Sequence, residues 1–95
     1  MKLETALSEN NIPLKLHTWV NENYRISSIY RQSSSIYNPS WYWETMVFAV
    51  LDTVDTLGNK EQRIVEQEES CSINEAAELH ITFYNKYVTE GKVKP

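Results

Sequence analysis

Two ionisable side chains stand out because each interrupts an apolar pattern. Glu44 lies inside Trp41–Leu51 (WYWETMVFAVL), and His80 lies inside the apolar stripe of Ile73–Glu90. An imidazole, with an ordinary pKa of about 6.5, exchanges protons near neutrality and could act as a base, a ligand or a pH switch. A carboxylate beside it would orient the ring and stabilise its charged form. One buried Glu44–His80 contact would also explain both exceptions, because a buried polar group needs a partner. The chain offers no triad order or other catalytic motif. The expected role of the pair is therefore structural, and the chain is expected not to be an enzyme. An enzyme using Glu44 and His80 would require both in one open pocket.

The remaining candidates are weaker. Cys71 precedes a helix N-terminus, where the helix dipole lowers a thiol pKa. No partner motif accompanies it, and a small staple residue is the simpler reading. Asp52-x-x-Asp55-x-x-Gly58-Asn59-x-Glu61 is rich in oxygen donors but lacks the alternating spacing of a calcium loop, so a solvated hairpin end is expected. The lone cysteine excludes an internal disulfide, and no Cys/His spacing suits zinc. Neither a metal nor a cofactor is expected. Tyr37, Trp41, Tyr42 and Trp43 place four large rings in seven residues beside Ser33-Ser34-Ser35. They cannot all point to one side of a strand. They either form a platform for a base, a small ligand or a protein partner, or close the end of the core.

The elements that must position these residues are legible from pattern. Ser72-Ile73-Asn74-Glu75 fits a capping box, with Gly91 as a left-handed cap at the far end. At about 100° per residue, Ile73, Ala76, Ala77, Ile81, Phe83, Tyr84, Tyr87 and Val88 share an arc of roughly 160°. His80 lies near the centre of that arc, and Leu79 is the one apolar residue outside it. Trp41–Leu51 reads as a strand with two apolar faces, hence central and covered on both sides. Turn chemistry follows at Leu57-Gly58-Asn59-Lys60, and Gln62–Glu68 alternates as the return strand of a hairpin. Glu66-Gln67-Glu68-Glu69 would give that strand a charged edge that discourages strand addition. Leu14–Val20 and Tyr24–Gln32 form a second hairpin around Asn21-Glu22-Asn23. Lys2–Glu9 is either a frayed helical turn or part of a tail spanning residues 1–11.

The whole reads as one domain, residues 1–95, of α+β class: an antiparallel sheet of three to four strands with one C-terminal amphipathic helix packed on one face. One helix covers one face of a small sheet, so the other face needs the N-terminal hairpin or a second subunit. A homodimer is the expectation, with a host protein as the other partner considered.

Charge and hydropathy narrow the partners. Net charge is −4, split as +1 over residues 1–40 (four basic, three acidic) and −5 over 41–95 (five basic, ten acidic). Phosphate backbones are held by clustered Lys and Arg, so nucleic acid is disfavoured. No apolar run reaches the roughly 18–20 residues that span a bilayer, and MKLETALSENN lacks a signal-peptide core. No membrane association and a cytoplasmic location are expected.

Trp43-Glu44-Thr45-Met46-Val47-Phe48 resembles a strand found in a class of small, uncharacterised phage and prophage proteins, in which Trp or Tyr precedes Glu-Thr-Met-Val-Phe. In that class a variable hairpin follows, then a helix that opens Ser/Thr-x-x-Glu-Ala and carries a histidine four residues after the alanine. Here those positions are Ser72, Glu75, Ala76 and His80. The match spans about residues 41–88, and Leu79 stands where the class usually has glycine. The resemblance implies that Glu44, Thr45 and His80 belong together, as a structural set or a shared site. It also implies a phage or prophage protein acting in a bacterial host's cytoplasm. Three functions follow as expectations: a protein-binding or self-associating module; a nucleotide or small-molecule binder that sequesters a defence signal; or an enzyme at Glu44 and His80.

Overall fold

A computed structural model describes residues 4–7, 13–33 and 40–91. The chain runs β1 (Glu4–Leu7), β2 (Pro13–Trp19), β3 (Tyr24–Gln32), β4 (Trp41–Val54), β5 (Lys60–Ser70) and α1 (Ile73–Tyr87). All neighbours pair antiparallel in the order β1-β2-β3-β4-β5, a meander with the helix on one face. The α+β class with one C-terminal helix is as expected, and the expected strands are β2 to β5. The addition is β1, whose register places Thr5 opposite Leu16. Glu4–Leu7 is thus a strand and not a helical turn. Its pairing partner lies beyond it in the chain, so local propensity gave no sign of it.

The meander follows from turn chemistry at its hairpins. Asn21 Oδ1 accepts from the backbone N–H of Asn23 (2.7 Å) and Tyr24 (3.1 Å), turning β2 into β3. At the other end Asp55 Oδ1 accepts from the N–H of Leu57 (2.9 Å) and Asn59 (3.0 Å), and Gly58 takes a φ of +84°. That left-handed conformation is one that L side chains rarely adopt. The Asp52–Glu61 segment therefore uses Asp55 to hold its own turn. One extra residue at Val65 sets Glu66 opposite Val47 and Ile64 opposite Phe48, a bulge that shifts the side-chain phase of β5.

The helix starts where the capping pattern places it. Ser72 Oγ accepts from the Glu75 N–H at 3.2 Å. The reciprocal bond goes one residue further out, from the Cys71 N–H to Glu75 Oε2 at 3.1 Å. Its buried stripe is Ala76, His80, Phe83 and Tyr87, spaced four, three and four residues apart as one helix face requires. Ile81, placed in the apolar arc by periodicity, is 48% exposed, while Leu79 packs beside Val65 against the core.

The core has two apolar clusters. Val20, Tyr24, Ile26, Val47, Ala49, Phe83 and Tyr87 form one, and Leu16, Trp43 and Ala76 form the other. Full burial of each large side chain contributes about 1.5–3 kcal/mol. Both clusters lie between α1 and the sheet. β4 is central in the sheet, and no element among the described residues covers the opposite face.

Candidate functional site

Between the two apolar clusters lies a polar layer that draws one side chain from each of four elements. His80 of α1 is 2% exposed; Thr18 of β2, Ser28 of β3 and Thr45 of β4 are fully buried. The His80 Nε2 atom is 2.8 Å from Thr18 Oγ1, and Nδ1 is 3.0 Å from Ser28 Oγ. Ser28 Oγ is in turn 2.8 Å from Thr45 Oγ1, directly across the β3–β4 register. Burial lowers the His80 pKa from 6.5 to about 4, with the charge of His17 adding to the effect. The ring is therefore neutral near pH 7, with one donor and one acceptor nitrogen. Two proton arrangements satisfy the chain of bonds, running from Thr18 to Thr45 or the reverse. Either leaves both ring nitrogens bonded.

Glu44 does not join this layer, which corrects the expected Glu44–His80 contact. Neighbouring residues of a strand point to opposite faces, so Trp43 and Thr45 face the helix and Glu44 faces away. There its Oε1 accepts from Arg31 Nη1 and its Oε2 from Gln67 Nε2, both at 2.8 Å. Glu44 is buried, although among the described residues no element covers its side of the sheet. An acid–base pair of Glu44 and His80 is not formed, and neither residue opens into a shared pocket. Of the grouped trio, Thr45 and His80 are joined through Ser28, while Glu44 stands alone.

The aromatic residues are divided in the same way. Trp43 is 3% exposed and closes the smaller cluster against Leu16 and Ala76. Trp41, 56% exposed, stacks on Tyr30 with ring centroids 5.1 Å apart, and Tyr30 also touches Trp43 at 5.4 Å. Tyr42 belongs to the opposite face. Tyr37 lies outside the described residues. Strand alternation thus sets Tyr42 apart, while Trp41 and Trp43 share a face and meet through Tyr30.

The face away from the helix presents three rows of side chains across β2 to β5. The register aligns Trp19, Arg25, Phe48 and Ile64 in one row across β2 to β5. The next row is His17, Ser27, Met46 and Gln67, and the third is Lys15, Ile29, Glu44 and Glu69. Trp19 and Ile64 are each 49% exposed, and Ile29, Met46 and Phe48 are half-buried. The Arg25 guanidinium lies 3.9 Å from the centroid of the Phe48 ring and donates from Nε to Gln62 at 2.6 Å. His17 meets Trp19 edge-on at 5.9 Å. Trp19 and Ile64 were not singled out by sequence. Trp19 was readable, since it alternates with Lys15 and His17 opposite the buried Leu16, Thr18 and Val20. Ile64 was hidden because its face depends on the bulge at Val65.

A shallow groove between β5 and the first half of α1 is lined by Glu68, Glu69, Ser70, Glu75, Glu78, Leu79 and Thr82. Its charge repels phosphates. Among the described residues no group of three His, Cys, Asp or Glu side chains could hold a metal, and no helix is long and apolar enough to cross a membrane. Compared with known protein families, curated proteins and solved structures, the chain matches none significantly.

Proposed function

We propose that this protein is a small non-enzymatic binding module whose working surface is the uncovered face of its sheet, engaging a protein partner or a second copy. The observation that carries this reading is the row Trp19, Arg25, Phe48 and Ile64, three apolar side chains with the Arg25 guanidinium laid on Phe48 and no covering element among the described residues. Bands of this kind, rimmed by polar residues, mark protein interfaces. Trp and Arg are the residues that most often dominate such interfaces. A phage or prophage origin, and with it a bacterial cytoplasm, is supported by the resemblance. Its strand residues Trp43–Phe48 and its helix residues Ser72, Glu75, Ala76 and His80 belong to the two elements that pack together.

The test compares wild-type protein with Trp19→Asp and Ile64→Asp, reading both self-association and capture of protein from bacterial lysate. Both variants are expected to fold and to lose one or both associations. Unchanged association on both readouts would end the proposal.

A second reading, a nucleotide or small-molecule binder, is favoured by the exposed Trp41 ring stacked on Tyr30. Base stacking on an aromatic contributes about 1–3 kcal/mol. A thermal-shift screen across nucleotides and cyclic dinucleotides, repeated with Trp41→Ala, tests it. A shift that disappears in the variant would support it, and no shift with any compound would rule it out.

A further inference from the structure

We propose that the occupant of the uncovered face is a second copy of this chain, stacked face to face about a two-fold axis parallel to the strands and centred between β3 and β4. This rests on the reading of that face as an interface, and it follows from how the three rows are ordered. A two-fold axis in that direction keeps each row over itself but reverses the strand order, so β2 lies over the partner's β5 and β3 over the partner's β4. In the third row Lys15, on β2, then meets the partner's Glu69, and Glu69 meets the partner's Lys15. In the first row Trp19 meets the partner's Ile64, and Arg25 meets the partner's Phe48. Basic and acidic ends of the same row thus come together twice, as an isologous interface requires.

The alternative axis, perpendicular to the strands, sets β2 over β2 and β5 over β5. It also reverses the rows, so that about the middle row Lys15 lies over the partner's Trp19 and Glu69 over the partner's Ile64, and neither charge meets an opposite one. The charge pattern therefore selects one orientation. Glu44, held by Arg31 and Gln67, carries its own neutralising partner into the contact, so the centre of the face presents no unpaired charge. Helix α1 lies on the far side of each sheet, so no element among the described residues stands in the approach.

The dimensions suit a small dimer. Strands about 4.8 Å apart and residues about 3.3 Å along them make the β2–β5 face about 19 by 26 Å, or about 500 Å2 per copy. That lies at the lower bound of specific interfaces, which start near 1,000 Å2 in total. Twisted sheets stacked in this way cross at about 30°, which is compatible with contacts along the first and third rows.

The test is sedimentation equilibrium of the full chain at micromolar concentrations, with a charge swap. Wild type is expected to be a dimer. Lys15→Glu and Glu69→Lys singly should each weaken it by about tenfold or more, because each change introduces two like-charge contacts. The double variant Lys15→Glu/Glu69→Lys should recover most of the loss. In a Cys71→Ser background, Trp19→Cys/Ile64→Cys should be joined between copies by a short bismaleimide cross-linker, because stacked sheets about 10 Å apart place the two thiols within its reach. A monomeric wild type, or a double variant no better than the singles, would overturn the proposal. Capture of a lysate protein that Trp19→Asp abolishes, together with a monomeric wild type, would overturn the dimer while leaving the interface reading intact.

Discussion

His80 Nε2 and Thr18 Oγ1 meet at 2.8 Å with both residues buried, joining the C-terminal helix to a strand 62 residues earlier in the chain. This contact opens the polar layer that continues through Ser28 to Thr45. Shifting β3 by two residues against β4 would keep the faces but set Ser28 against an apolar neighbour, leaving a buried hydroxyl unbonded. The layer therefore specifies strand register as well as helix position. Replacing Thr18 by Val keeps the shape and removes one partner of a buried ring nitrogen. The expected loss is about 1–3 kcal/mol in urea unfolding. His80→Ala removes the ring and strands several hydroxyls beside a cavity, at an expected cost of about 3–5 kcal/mol.

The same ring makes stability depend on pH. In the unfolded chain His80 binds a proton near pH 6.5, whereas in the folded protein burial holds its pKa near 4. Between those values the unfolded state carries the extra proton, so stability falls as pH drops from about 6.5 to about 4. Above 6.5 this contribution is fully present. The integrated loss is about 3 kcal/mol. Urea titrations at several pH values should show that decline, and NMR titration of the imidazole should give a midpoint near 4. A midpoint near 6.5 would contradict the buried, neutral ring.

Glu44 and His80 lie on opposite faces and share no partner, so changes at the two places should add. Glu44→Gln removes the charge facing Arg31, whose side chain is 52% exposed, and should cost about 1 kcal/mol. Combined with Thr18→Val, the total should equal the sum within about 0.5 kcal/mol. By contrast Arg31→Ala and Glu44→Gln should couple measurably. A coupling well above that margin between Glu44 and the Thr18–His80 contact would contradict the division of the sheet into two faces.

The two neighbouring tryptophans should behave differently. Trp43→Ala opens the smaller core cluster and should cost about 3–5 kcal/mol. Trp41→Ala removes a ring that is half exposed and stacked on Tyr30, and should stay within about 1 kcal/mol. Thermal or urea unfolding of the pair separates a core role from a surface role.

Much of this arrangement was legible before the structure. Ser72 and Glu75 marked the helix start, the aromatic and branched run marked β4, and the Asn21 and Gly58 turns marked both hairpins. These are local signals, set by backbone preference and side-chain period. The partner of His80 was not legible, because Thr18 and Ser28 are ordinary strand residues whose meeting depends on three register choices at once. Glu44 misled for the same reason. It is a lone charge in an apolar run, and which face it takes is fixed only by the residues already committed to the helix side. The β5 phase was hidden by one inserted residue, Val65, and with it the exposure of Ile64.

The uncovered face of the sheet is the surface on which function is proposed to rest. The most direct measurement is the association state of Trp19→Asp against wild type, read by sedimentation with partner capture alongside, at matched unfolding temperature. Trp19 is half exposed and outside both core clusters, so the substitution should leave stability within about 1 kcal/mol. Association should be lost while the fold stands. A folded Trp19→Asp protein that associates as wild type does would contradict that proposal.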